Sequence, residues 1–285
     1  MKASWDTQVY CLIGDPVAYT LSPVMHNTAF KKLGINGLYL AFRVPAGKLR
    51  EAVEGMKALG FKGFNVTIPH KVEIIRFLDG LDRLAARIGA VNTVKNDGGR
   101  LIGYNTDGEG ALRALEEAGV SPKGKNVVVL GAGGASRAIC FTIAKLARKL
   151  VIANRTEDKA LKLAERLRAE LGVNVEVCRL LEEELAPMLA EAEILINATS
   201  VGMYPEVENS PVSSALLRRD LTVFDIVYKP LKTRLLREAE LKGAKTVDGL
   251  AMLVHQAARA FEIWTGVTPP VEEMRKAALK EVRQG

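Results

Sequence analysis

The strand-like run Asn126-Val127-Val128-Val129-Leu130 passes straight into Gly131-Ala132-Gly133-Gly134-Ala135-Ser136, and a helical stretch follows to Lys149. No other feature narrows the fold so far. A β-branched run this short is no helix, and a continuous apolar strand is one covered on both faces. A glycine-rich turn between such a strand and a helix belongs to a βαβ unit, where backbone N–H groups at the helix start face an anionic ligand. The pattern departs from G-x-G-x-x-G at its third glycine, where Ser136 stands. A glycine-rich turn with no further role is the plain alternative.

The alternation extends in both directions. Further strands are expected at 150–154, 173–177, 194–197, 221–227 and 245–247. A helix is expected over 156–171, with Thr156 as its cap and Glu157 and Asp158 favourable in its first turn. The first 110 residues alternate as well, with strands near 9–13, 38–44, 62–67, 91–95 and 100–104 and helices over 23–33, 48–59, 72–78 and 108–118. Helices over 250–264 and 270–283 close the chain, and their pattern leaves open which part they cover. VSPKGK (120–125) reads as the clearest linker. The whole is an α/β chain of two domains, the second a doubly wound sheet of Rossmann type.

Forty Lys and Arg against 33 Asp and Glu give a net charge of +7 over 285 residues. The basic residues interleave with Glu along helical segments such as EDKALKLAERLRAE, which makes them solvated faces rather than a nucleic-acid surface. A modest positive surplus suits a protein that handles small anions. Apolar runs fall far short of the roughly 20 residues of a membrane span, and no signal peptide is expected. Cys11, Cys140 and Cys178 are scattered in apolar stretches, which points to buried thiols in a reducing cytoplasm. His26, His70 and His255 have no i, i+4 partner or nearby Cys, so no metal site is expected. His70 either lines a site or bonds to backbone. Trp5 and Trp264 read as packing residues.

The end of the second strand of the βαβ unit selects the cofactor. An NAD enzyme places Asp or Glu there for the ribose 2′-hydroxyl. Here stand Asn154-Arg155-Thr156, with Lys159 one turn on. A carboxylate would repel a 2′-phosphate, whereas Arg offers it a planar fork. NADP is therefore expected over NAD; a plain surface arginine would leave the missing carboxylate unexplained.

Four polar strings in the first part end strands or open helices: GDPVAYTLSP (14–23), FNVTIPHK (64–71), GAVNT (89–93) and GYNTDG (103–108). They supply Thr20, Ser22, Asn65, Thr67, Lys71, Asn92 and Asp107. Hydroxyls and carboxamides of this kind suit a polyhydroxylated small molecule, whose hydroxyls each need a partner. Lys71 and Asp107 among neutral groups suggest an acid/base pair, although a lone lysine at a helix start is more often a surface residue.

In order, NVTIPHK, GAVNT, GYNTDG, GAGGASRA, NRT, NATSVGM, DIVYKPLKTRLL and DGLAMLVHQAA closely resemble the shikimate dehydrogenase family, from about Tyr10 to Gly266. The resemblance implies reversible NADPH-dependent reduction of 3-dehydroshikimate to shikimate, a cytoplasmic step toward chorismate and the aromatic amino acids. It makes Lys71 and Asp107 the catalytic pair, and Thr20, Ser22, Asn65, Thr67, Lys71, Asn92, Asp107, Tyr228 and Gln256 the substrate ligands. It assigns Gly131, Ala132, Gly133, Gly134 and Ala135 to the phosphate loop, and Asn154, Arg155, Thr156 and Lys159 to the 2′-phosphate. Thr199, Ser200, Met203, Ile226, Gly249 and Met252 fall near the ribose or nicotinamide. It implies a substrate-binding domain of residues 1–110 plus 247–285 and an NADP-binding domain of 111–246, with monomer or homodimer open. Where the family usually has His-Ser-x-Ser-Pro, this chain has Tyr19-Thr20-Leu21-Ser22-Pro23, which bears on the choice between shikimate and quinate. Which of Lys71 and Asp107 is the formal acid stays open, because a close pair titrates as a unit. Two alternatives remain: a broader quinate/shikimate dehydrogenase, and a non-catalytic dinucleotide-binding regulator that would not need Lys71 and Asp107.

Overall fold

The computed structural model describes residues 4–284. The chain divides into two compact units, one running to Thr106 and resuming at Val254, the other Asp107–Leu253. The expected domain edges at 110 and 247 thus differ from this division by a few residues. Residues 1–3 and 285, the outer limits of the first expected domain, lie outside the described residues. Among the described residues each unit holds one six-stranded sheet.

The first unit contains β1 (Gln8–Gly14), α1 (Ser22–Leu33), β2 (Gly37–Arg43), α2 (Leu49–Ala58), β3 (Gly63–Val66), β4 (Gly80–Leu81), α3 (Arg83–Ile88), β5 (Thr93–Asp97) and β6 (Arg100–Tyr104). Its sheet order is β2-β1-β3-β5-β6-β4. β1 is parallel to β2 and β3, while β5 is antiparallel to β3 and β6. Tyr10–Gly14 of β1 are all buried, as a central strand covered on both faces must be. One face packs Cys11, Ile13, Phe64, Val66, Val94 and Leu101 against Val53 and Met56 of α2. On the other, Tyr10, Phe30, Tyr39, Phe261 and Trp264 form an aromatic cluster.

The second unit contains α4 (Asp107–Glu117), β7 (Asn126–Leu130), α5 (Gly134–Ile143), β8 (Lys149–Asn154), α6 (Glu157–Leu171), β9 (Glu176–Arg179), α7 (Glu182–Glu191), β10 (Ile194–Asn197), β11 (Thr222–Asp225), α8 (Arg234–Leu241) and β12 (Lys245–Val247). Every pairing is parallel, in the order β9-β8-β7-β10-β11-β12. That is the doubly wound dinucleotide-binding order, whose switch point lies between β7 and β10. Leu130 pairs with both Ala153 and Asn197, so β7, β8 and β10 end within one residue of one another. α9 (Gly249–Thr265) leaves this unit and enters the first at Val254, followed there by α10 (Val271–Gln284). The indole of Trp264 on α9 donates to the Val94 carbonyl at 2.9 Å, so α9 packs on the first sheet, while α10 packs against α1.

Several local expectations change. The helix expected over 72–78 is a short 3-10 segment, Glu73–Phe77, ended by extended Leu78. The strand expected at 173–177 starts only at Glu176, because Gly172 first ends α6 with φ +69°. α3, α7 and α8 were not expected. VSPKGK is no linker between units: it lies inside the second, tied by Gly124 N–H to the Leu146 carbonyl. Thr156 occupies the N-cap of α6 without a side-chain capping bond. Trp5 is 98% exposed rather than packed. No described helix is long and apolar enough to cross a membrane.

Candidate active site

In the second unit the glycine loop leaves β7 at its carboxyl end. Gly131 has φ +106°, and a Cβ there would stand 3.0 Å from the Ala198 carbonyl, so only glycine lets the loop pass so close to the neighbouring turn. Its N–H donates to the Ala153 carbonyl at 2.8 Å. Ser136, in place of the third glycine, is fully buried and turns its hydroxyl back to the Gly131 carbonyl at 2.5 Å. The departure from the glycine pattern thus fastens the loop. Gly133 caps α5 without a side-chain bond, and nothing lies within 4 Å of where its Cβ would stand. Backbone N–H groups at a helix start, with open space before them, fit the pyrophosphate of a dinucleotide. Asn154, half-buried, donates through Nδ2 to the Thr156 carbonyl at 2.7 Å, while Arg155, Thr156 and Lys159 are exposed. Arg155 forms no ion pair among the described residues.

Next to that loop, the turns after β10 and β11 are held by one buried carboxylate. Asp225 Oδ1 accepts from Asn197 Nδ2 at 2.9 Å and Val227 N–H at 3.0 Å, and Oδ2 accepts from the Thr233 hydroxyl at 2.7 Å. Burial pushes its carboxyl up to about 6, against the opposing pull of these hydrogen bonds. Asn197 Oδ1 accepts from both the N–H and the hydroxyl of Thr199. The Ser200 carbonyl accepts from Met203 N–H, and Ile226 N–H donates to the Asn197 carbonyl. Gly249 lies against the same turn, where a Cβ would be 2.3 Å from the Ile226 carbonyl. Met252 is buried, and Tyr228 is half-buried three residues beyond β11. Thr199 and Ile226 are thus bonded to Asn197, which the buried Asp225 holds in turn.

In the first unit Thr20 and Ser22 stand at the start of α1. The Thr20 hydroxyl donates to Ser22 Oγ at 3.2 Å and accepts from Ser22 N–H at 3.2 Å. Two adjacent hydroxyls at a helix N-terminus suit a carboxylate. Thr67 continues from β3, its N–H bonded to the Ile13 carbonyl, and its own carbonyl accepts from His70 N–H. His70 is fully buried and donates through Nε2 to the Val44 carbonyl at 2.7 Å, which settles its role as a backbone tie. It fixes the turn that carries half-buried Lys71, whose carbonyl accepts from Val91 N–H at 2.7 Å.

Asn65, Asn92 and Gln256 come together in this unit. Asn65 Nδ2 donates to the Asn92 carbonyl, and Asn92 Nδ2 donates to Thr106 Oγ1 at 2.9 Å and Gln256 Oε1 at 3.3 Å. Asp107 follows Thr106 directly, buried at the first turn of α4 in the second unit, as Tyr228 is also in that unit.

Tyr39, Thr93, Thr106, Asn197, Asp225 and Thr233 were not among the expected site residues. All but Tyr39 lie inside the polar or family strings already singled out, so the strings held the signal while the choice within them did not. Tyr39 lies in β2, in a stretch that reads only as strand.

Three family descriptions match the chain: "Shikimate dehydrogenase substrate binding domain" over residues 12–94, "Shikimate / quinate 5-dehydrogenase" over 113–231 and "Shikimate 5'-dehydrogenase C-terminal domain" over 249–279. The shikimate dehydrogenase (NADP(+)) of Methanopyrus kandleri is 51% identical over 281 residues, spanning 98% of this chain and 97% of its own. Among solved structures, a shikimate dehydrogenase in complex with NADP+ aligns with a TM-score of 0.92 at 47% identity, covering 99% of this chain and 98% of that one. The Thermus thermophilus shikimate 5-dehydrogenase in complex with NADP(H) and shikimate aligns with a TM-score of 0.86 at 39% identity, covering 96% and 99%. Identity at this level across nearly the full length of both chains, joined to a parallel sheet of doubly wound order, places the chain in the shikimate dehydrogenase family.

Proposed function

We propose that this chain reduces 3-dehydroshikimate to shikimate with NADPH and runs the reverse reaction with NADP+. The observation that carries the reading is the convergence of Asn65, Asn92 and Gln256 on one hydrogen-bonded shell in the first unit. A ring bearing several hydroxyls needs such a shell of fixed donors and acceptors. The first unit is then the substrate-binding domain and the second the NADP-binding domain.

When bound, NADPH supplies the hydride. The Lys71 ammonium stabilises the charge that develops on the substrate's ketone oxygen, and Lys71 or Asp107 delivers the proton. Thr20 and Ser22 hold the carboxylate; Asn65, Thr67, Asn92, Tyr228 and Gln256 partner the ring hydroxyls. Gly131, Ala132, Gly133, Gly134 and Ala135 receive the pyrophosphate, and Asn154, Arg155, Thr156 and Lys159 the 2′-phosphate. Thr199, Ser200, Met203, Ile226, Gly249 and Met252 line the nicotinamide end. The partner is a small anion, handled in the cytoplasm, with no nucleic acid involved; sedimentation velocity distinguishes monomer from homodimer.

Steady-state kinetics crossing shikimate and quinate with NADP+ and NAD+ test the reading. Shikimate with NADP+ should give the highest kcat/KM. Comparable rates with quinate would assign a broader quinate/shikimate dehydrogenase. No turnover with any pair would leave a dinucleotide-binding regulator.

A further inference from the structure

Asn65 is bonded at both ends of its carboxamide, and unambiguous backbone groups fix its polarity. Thr106 N–H donates to Asn92 Oδ1 at 2.8 Å, so that oxygen is an acceptor. The Thr93 hydroxyl, 3.0 Å from Asn92 Oδ1, must then spend its one proton there. Toward Asn65 it can only accept, and the Asn92 carbonyl likewise only accepts. Asn65 therefore directs Nδ2 at both, at 3.0 Å and 3.1 Å. Its Oδ1 then faces Tyr39, whose hydroxyl donates to it at 2.7 Å.

Tyr39 is itself held rigidly. It is fully buried, and its ring stacks on His26 at 4.4 Å with 17° between planes. Its N–H donates to Asn27 Oδ1 at 2.8 Å, and Asn27 Nδ2 donates to its carbonyl at 2.9 Å. A carboxamide has two N–H donors and two acceptor lone pairs. With both donors of Asn65 engaged and one lone pair taken by Tyr39, a second lone pair on Oδ1 is the capacity left.

We infer that Tyr39 is a positioning residue that presents Asn65 to the substrate as a hydrogen-bond acceptor, so that the site selects a hydroxyl, a donor, where Asn65 reads the ring. A carbonyl or ether oxygen at that place meets an oxygen and is rejected. The inference rests on Asn65 being a substrate ligand, as proposed above. Without the Tyr39 hydroxyl, Oδ1 loses its donor, and the amide has less holding it in the acceptor orientation.

Steady-state kinetics of Tyr39→Phe, Thr93→Val and Asn65→Ala with shikimate and NADP+ test this. Tyr39→Phe keeps the stacked ring and removes only the hydroxyl. The KM for shikimate should rise about five- to tenfold, the scale of one hydrogen bond. The kcat and the KM for NADP+ should stay within about twofold, because the lost interaction serves ground and transition states alike. Thr93→Val disturbs the same polarity from the amide end, should move shikimate KM in the same direction, and carries the test if Tyr39→Phe does not fold. Adding Tyr39→Phe to Asn65→Ala should cost nothing more. An unchanged shikimate KM in Tyr39→Phe, beside a raised one in Asn65→Ala, overturns the positioning role alone. A Tyr39→Phe penalty that persists in the Asn65→Ala background also overturns it, by making Tyr39 merely structural. An unchanged KM in Asn65→Ala removes the ligand reading and this inference with it.

Discussion

Arg155 is the residue proposed to choose between two cofactors. It stands exposed just past β8, with Asn154 turned away to the Thr156 carbonyl and no carboxylate at positions 154–156. Arg155→Ala should raise the KM for NADP+ about ten- to a hundredfold while leaving that for NAD+ nearly unchanged, the cost of one charge-assisted contact. Equal weakening for both cofactors would show that Arg155 does not read the 2′-phosphate. Thr20 is proposed to make the corresponding choice on the substrate. Its hydroxyl lies 3.2 Å from both Ser22 Oγ and Ser22 N–H, and its extra methyl points elsewhere around Cβ. If that methyl crowds the carboxylate end, quinate suffers most, because its tetrahedral C1 carries an added hydroxyl. An extra methyl in a packed pocket costs about 1–3 kcal/mol. Thr20→Ser should therefore improve kcat/KM for quinate about five- to a hundredfold relative to shikimate. An unchanged ratio of the two would place the methyl outside the pocket.

Elements were legible where their pattern is local. The β7–loop–α5–β8–α6 segment follows from a β-branched run, a glycine turn and a regular apolar period, and the structure has each of them. α7 is hidden by Pro187 in its middle, a residue that removes a helical N–H. α3 is only six residues long and depends on its ends, with Asp82 accepting from Leu84 and Ala85 N–H and Gly89 closing it at φ +68°. The antiparallel turn of the first sheet at β5 is a tertiary choice that alternation alone does not express. The same holds for the site: Asn65 and Thr67 announce themselves by a motif, whereas the Asn197–Asp225–Thr233 link joins residues 28 and 8 positions apart. The loop between β7 and α5 offers a test at this scale. Gly131→Ala puts a Cβ 3.0 Å from the Ala198 carbonyl at φ +106°. Such strain costs about 1–3 kcal/mol. Thermal unfolding should shift down, and the KM for NADP+ should rise, while calorimetric affinity for shikimate without cofactor stays as in wild type. A wild-type KM for NADP+ would show that the loop conformation does not matter to the cofactor.

Across the whole molecule, two buried titratable groups pull stability in opposite directions as pH changes. Desolvation pushes His26 in the first unit down to about 3, and both its ring nitrogens are buried without a partner. The unfolded chain takes up that proton near pH 6.5 while the folded chain refuses it. Stability contributed by neutral His26 is therefore present above pH 6.5 and is lost as pH falls, by about 1.4 kcal/mol per pH unit down to the folded value. Asp225 in the second unit is the reverse case: with its carboxyl raised from 3.8 to about 6, its contribution is full below 3.8 and lost as pH rises through 6. Between about pH 4 and 6 the two slopes oppose each other, so wild-type unfolding alone would conceal both. His26→Phe separates them. The ring still stacks on Tyr39, near Phe261 and Trp264, and two unsatisfied nitrogens are removed. In urea unfolding, the stability gained over wild type should be about 2–3 kcal/mol larger at pH 4.5 than at pH 7.5, from two pH units of lost linkage. A gain independent of pH would mean that His26 binds its proton equally well folded and unfolded, and that its burial among aromatic rings does not keep it neutral.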